Sequence, residues 1–245
     1  MHPIVAAVAA RMEELLRPLE GRRDPARFFL GTYLRTTRAV GEALDAGSFE
    51  DPTWVAAWDV DFAGIYLDAL EAWHKDPRTV GAPWRLAFGA APGLPPEAHV
   101  LLGMNAHINF DLPQSLLRMI PPADFASPTV LERRRRDHER IDDVLAAQVG
   151  TEDAALRRAG GRRTTLDRLL APVNRRASRI FLREARRKVW ANTVALHTAR
   201  MQGVGDYAVR LADLEAVSAE RVADLLRPGP VLLRLAVHGF GVTLD

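Results

Sequence analysis

The stretch Leu101-Leu-Gly-Met-Asn-Ala-His-Ile-Asn-Phe-Asp-Leu-Pro113 decides the fold. It is apolar nearly all the way round a helical wheel, and such a helix is stable only when other helices enclose it. Polar side chains nevertheless interrupt it at helical spacing. His107 and Asp111 stand four residues apart and share a face, with Gly103 a turn earlier leaving space beside them; Asn105 and Asn109 repeat the spacing on the opposite side. The segment predicts a central helix over 97–119 in an all-α protein. Its buried amides must find partners or cost about 1–3 kcal/mol each.

Outward from this centre, helix starts are legible because Asp24-Pro25, Asp51-Pro52 and Ser127-Pro128 each set a capping side chain directly before a proline suited to the first helical position. Gly21, Gly47 and Gly150 follow apolar periodic stretches and read as helix stops. The pattern predicts helices over 3–20, 25–46, 52–74, 97–119, 128–149, 151–159, 164–202, 206–226 and 231–238, forming one bundle over 1–245. The Pro/Gly-rich connection 75–96 is the longest irregular segment, broken by a short helical turn over 84–88. Pro113 and Pro172 fall inside helical patterns and should kink or restart their helices.

The chain has 245 residues, 48% hydrophobic and 26% charged, which is the composition of a globular protein with a sizeable core. Cysteine is absent, so disulfides, thiolate metal sites and a cysteine nucleophile are excluded, and any metal would need nitrogen and oxygen ligands. No apolar run approaches bilayer length, and the first residues lack the form of a signal peptide; a cytoplasmic location is the expectation. The net charge is +2, but residues 1–122 carry 11 basic and 15 acidic side chains against 22 and 16 in 123–245. The basic excess lies on predicted helices where intrahelical pairs account for it, and without a recognition motif nucleic acid is not the expected partner.

Further candidates for chemistry lie on the third, fifth and seventh predicted helices. Trp54, Trp58, Asp61, Ile65 and Asp68 share one stripe of the third, while Val55, Asp59, Phe62, Tyr66 and Trp73 cover much of the rest. Asp61 and Asp68, acids among aromatics, need an arginine, a metal or each other with a shared proton, and an arginine is the expected partner. The fifth helix opens with the charged run 133–143, mostly a solvated face, in which His138 and Asp142 stand four apart and Asp137 falls on the inward side with Ile141 and Val144. On the seventh, Arg183, Arg187, Trp190 and Val194 share a face, and this helix is the expected source of counter-charges for Asp61, Asp68 or Asp111. His197, a lone histidine a turn further on, reads as a core or rim residue.

The segment 103–113 resembles the hallmark of a mostly actinobacterial family of all-helical proteins described only as a domain of unknown function. The likeness extends to 29–36, 62–73, Pro83-Trp84-Arg85, the helix at Asp137, and 187–190, in that order. The resemblance implies an all-helical architecture and a focus on His107 and Asp111. It brings no substrate, cofactor or catalytic assignment. Asp142 stands where the family pattern leads one to expect asparagine.

Three readings of this polar core compete. In the first, a cavity between the third, fourth, fifth and seventh helices holds a divalent metal, zinc, manganese or iron, through His107, Asp111 and either Asp137 or Asp61, and the chain hydrolyses a phosphate or ester. In the second, His107 and Asp111 form a metal-free acid–base pair that cyclises or isomerises a hydrophobic small molecule, in a pocket from Trp58, Phe62, Tyr66 and Trp84. In the third, the polar groups only fix helix registry in a non-catalytic binding or scaffold protein. Asp68, Asn105, Asn109, Arg187 and Trp190 complete the candidate pocket. No Walker loop, dinucleotide fingerprint, H-E-x-x-H pair or G-x-S-x-G elbow is present. The oligomeric state has no sequence signal.

Overall fold

The computed structural model describes residues 2–158, 165–229, 231, 234–235 and 239–244. The chain is an all-α bundle, and no strand occurs among the described residues. The helices are α1 (Pro3–Arg22), α2 (Ala26–Asp45), α3 (Pro52–Lys75), α4 (Ala82–Phe88), α5 (Pro96–Ala106), α6 (Leu112–Met119), α7 (Pro122–Phe125), α8 (Pro128–Arg158), α9 (Thr165–Gln202) and α10 (Val204–Leu226). A π-helical turn, His107–Asp111, joins α5 to α6. No helix among the described residues is long and apolar enough to cross a membrane.

Proline in the first turn marks most starts, and side chains cap two of them. Asp51 accepts from the Trp54 backbone N–H at 3.0 Å, and Asp24 accepts from that of Ala26 at 2.9 Å, each worth about 1 kcal/mol. The stops are less regular. Gly47 takes the left-handed conformation expected of it, with φ 71°, but α1 runs past Gly21 and ends on Arg23, with φ 56°. Gly150 does not stop α8, which continues to Arg158, so the predicted break between 149 and 151 is absent. An interior glycine weakens a helix by only about 1 kcal/mol, too little to end one whose flanks favour helix. Pro172 lies inside α9, which is continuous rather than restarted there. The predicted helix over 231–238 falls largely outside the described residues.

The α5–π–α6 rod is the axis of the bundle. It packs against α2, α3, α4, α9 and α10, and Leu102, Ala106, Leu112, Leu116 and Ile120 along it are at most 2% exposed. One apolar cluster runs from Val5 on α1 through Leu30, Val55, Tyr66 and Trp84 to Val189 and Val222. A smaller one, Leu117, Leu196, Leu214 and Val242, seals the junction of α6, α9 and α10.

Candidate functional site

Pro113 has no N–H to offer the carbonyl of Asn109, and its ring crowds that carbonyl in a regular α-helix. The turn just before it is accordingly widened, with the Leu112 N–H reaching back five residues to the His107 carbonyl. Single widened turns of this kind concentrate at functional positions. Here the turn carries His107 and Asp111, which are 3% and 0% exposed.

The two side chains meet at 2.8 Å, Nδ1 to Oδ2. The Trp84 indole N–H donates to both carboxylate oxygens of Asp111, at 3.1 and 2.9 Å. Burial raises the Asp111 pKa, while the His107 and Trp84 hydrogen bonds pull it back; burial also lowers that of His107, against the pull of Asp111. Nδ1 is held against the carboxylate, and Nε2 is left without a protein partner. Phe62 stacks on the ring at 3.7 Å and 4°, Tyr33 meets it edge-on at 4.6 Å, and Phe29, Tyr66 and Trp84 close the cage.

Beside this ring is a cavity of about 100 Å³ between α2, α3, the central rod, α8 and α9. Its walls are mostly apolar, from Phe29, Val40, Trp58, Phe62, Met104, Ile108 and Ile141. The polar exceptions include His107, Tyr33, Asp59 and Arg186. Asp59 is 8% exposed, its Oδ2 has no partner, and burial pushes its pKa up to about 7. The Tyr33 hydroxyl is also unpartnered, and burial, reinforced by Asp59, raises its pKa well above the ordinary phenol value. Arg186, 4% exposed, forms an ion pair with Asp142 at 2.8 Å and donates to the His138 carbonyl.

The remaining candidates are placed elsewhere. Asp61 accepts from the Ser115 hydroxyl at 2.6 Å and lies 3.4 Å from Arg118. Asp68 is an exposed partner of Arg11 at 3.1 Å. Asp137 accepts the backbone N–H groups of Glu50 and Asp51, each at 2.8 Å, and pairs with Arg140 at 3.0 Å, so it anchors the entry to α3. The ligand set of His107, Asp111, Asp137 and Asp61 is thus not gathered at one point. Among the described residues no three histidines or acids stand together in a way that would hold a metal ion.

Of the expected pocket aromatics, Trp58 and Phe62 line the cavity, whereas Tyr66 and Trp84 pack behind His107. The side-chain amides of Asn105 and Asn109 both donate to the Phe240 carbonyl, at 3.1 and 3.0 Å, and Asn109 accepts from the Val242 N–H at 3.2 Å. They clamp the segment 239–244 against the rod and do not line the cavity. The space at Gly103 is taken by Phe29, 2.4 Å from where a Cβ would sit.

The counter-charges do not come from Arg187, which is exposed; they come from Arg118, Arg11 and the His107–Trp84 pair. Trp190 is half-buried, with its ring 5.6 Å from that of His138. His138 is 1% exposed, wedged between Trp58 and Trp190, and burial drives its pKa well below the ordinary value. The solvated-face expectation fails for this residue because one edge of the charged run turns inward with Ile141. His197 stacks on Phe125 at 3.8 Å at the rim.

Asp59 and Arg186 are the site residues that sequence reasoning passed over. Asp59 did carry a signal, as the only acid on the stripe Val55, Asp59, Phe62, Tyr66. Arg186 was not singled out, because the reading of this helix followed the face shared by Arg183, Arg187, Trp190 and Val194.

No curated protein and no solved structure matches the chain. Residues 5–228 match the profile of a family of unknown function, DUF5995. Since the match spans nearly the whole bundle, including the dyad and the cavity wall, the chain belongs to that family.

Proposed function

We propose that the chain is an enzyme that moves protons on a small, largely apolar molecule, with His107 Nε2 as base and Asp59 as proton donor. The observation that carries this reading is a cavity whose lining includes three buried titratable groups, His107, Asp59 and Tyr33, each with a polar atom that has no protein partner. Unsatisfied buried polar atoms are expensive, and they are tolerated where a ligand completes them.

The parts have consistent roles. Asp111 and Trp84 fix the imidazole tautomer and would stabilise the imidazolium once Nε2 takes a proton. Asp59, with a pKa of about 7, is present in both protonation states at neutral pH, as a general acid needs to be. The apolar walls exclude water and strengthen each electrostatic contact. Positioned acid–base groups contribute on the order of 10²–10⁴-fold in rate. A metal-dependent hydrolase finds less support, because Asp61 and Asp137 are committed to other partners.

Deuterium exchange at the α-carbon of butanone in D₂O, followed by proton NMR, tests the proposal. Exchange faster than in buffer, lost in His107→Ala and in Asp59→Asn, is the expected result. Exchange at the buffer rate, with no perturbation of cavity-lining resonances by butanone, overturns it.

A further inference from the structure

The cavity wall contains a buried guanidinium, that of Arg186, which also belongs to the wall of a polar cleft of about 370 Å³ between α8 and α9. That cleft is lined by five arginines, including Arg183 and Arg187, and by three acids, including Asp142. Arg136 and Arg140 are tied to Glu50, at 2.8 and 2.9 Å. Arg183 and Arg187 stand exposed, one helical turn apart on α9. The buried Arg186 guanidinium is therefore shared by the wall of an apolar chamber lined by unpartnered acid–base groups and the wall of a basic cleft.

We infer that the ligand is a short branched or cyclic carboxylic acid, with its hydrocarbon body in the cavity and its carboxylate on Arg186, in the place now taken by Asp142. The inference rests on the acid–base reading of the cavity and names its substrate class.

Three observations define the ligand. The cavity, at about 100 Å³, is smaller than the ~150 Å³ engineered cavity that accepts benzene, so the hydrocarbon part is about four carbons in size. Its lining makes that part apolar. Arg186 in the wall selects the head group: a guanidinium offers five N–H donors in a fork that fits a carboxylate. Of these, Arg186 spends Nη2 on the His138 carbonyl, while Nε lies 2.8 Å from Asp142 Oδ1 as an ion pair without hydrogen-bond geometry and so keeps a donor unspent. Asp142 can give way, because burial raises its pKa and it keeps 13% side-chain exposure. A monoanion replaces it without changing the local charge once Asp142 turns to solvent, and Arg183 and Arg187 draw the anion in.

Titration calorimetry at low salt with isovalerate, isoamyl alcohol, isopentylammonium and acetate tests this. Isovalerate is expected to bind about tenfold more tightly than isoamyl alcohol, to weaken as salt rises, and to lose its advantage in Arg186→Met. Isopentylammonium and acetate should not bind measurably. Should Arg186→Met fail to fold, the exposed double variant Arg183→Glu with Arg187→Glu supplies the second reading, an expected loss of about threefold or more. Equal binding of the alcohol and the acid overturns the carboxylate assignment and leaves the cavity reading standing. Equal binding of acetate and isovalerate places the anion on the outer surface and also overturns it. If neither isovalerate nor the alcohol binds, the inference falls together with the cavity reading.

Discussion

Replacing Asp59 by asparagine should favour the folded protein more at pH 8 than at pH 5. Burial lifts this carboxyl from its ordinary 3.8 to about 7, which at 1.36 kcal/mol per pH unit amounts to about 4 kcal/mol. An acid whose pKa is raised on folding binds more protons folded than unfolded between the two values. Its contribution is therefore most favourable below pH ~4, is lost as pH rises towards ~7, and is flat above. About 2.5 kcal/mol of that loss falls between pH 5 and pH 8.

His107 and His138 act in the opposite sense. Burial lowers both pKa values, so what they contribute is lost as pH falls below ~6.5. The wild-type profile alone therefore mixes the two trends, and the informative quantity is the difference between wild type and variant. Urea denaturation at pH 5 and pH 8 measures it. The variant should gain about 2.5 kcal/mol relative to wild type over that interval. A gain below about 0.5 kcal/mol, with unchanged m-values, would mean that Asp59 is ionised without penalty, and its role as an acid near neutral pH would fail.

Gly103→Ala places a methyl 2.4 Å from Cγ of Phe29, and thermal denaturation should register a loss of about 1–3 kcal/mol from overpacking. Asp111→Ala strips the partner from two buried N–H groups, those of Trp84 and His107, so a loss of about 3 kcal/mol or more is expected, with altered tryptophan fluorescence; a near-neutral effect would show that the pair can find water instead. Asn109→Ala frees the Val242 N–H and one of the two donors to the Phe240 carbonyl. Hydrogen exchange in 239–244 should rise by at least tenfold while α1 and α2, which this segment does not bond, stay protected. Asp137→Ala unties the backbone of Glu50 and Asp51 and should lower the melting temperature by a few degrees, for about 1–2 kcal/mol.

The all-helical architecture was readable because helix starts are written in local chemistry. Asp24 and Asp51 do cap the backbone where the proline beside each suggested. The centrality of 97–119 followed from an apolar surface that no solvent-facing helix would keep. Stops were less readable, since Gly21 and Gly150 sit in helices whose neighbours outweigh one glycine. The pairing of His107 with Asp111 was visible in their spacing, but what surrounds them was not. Asn105 and Asn109 show why: a buried amide announces that it needs a partner without naming it, and theirs lies more than a hundred residues away. Asp137 was rightly expected to face inward, yet its partners are the backbone of a loop. Asp59 and Arg186 come together only because α3 and α9 both line the cavity, which periodicity within either helix does not encode.

The widened turn at 107–111 also sets the relation between the two halves of the central rod. One extra residue in a turn advances everything after it by about 100° around the axis, since a regular helix has 3.6 residues per turn. The inward stripe of α6 is thus indexed differently from that of α5, and a rod that faced α2 and α10 with its first half can face α3 and α9 with its second. Deleting a single residue from this turn would swing Leu116 and Ser115 by about 100° out of register with their sockets, with no side chain made worse in itself. Such a deletion should be far more damaging than any substitution at the same positions, because it changes phase rather than composition.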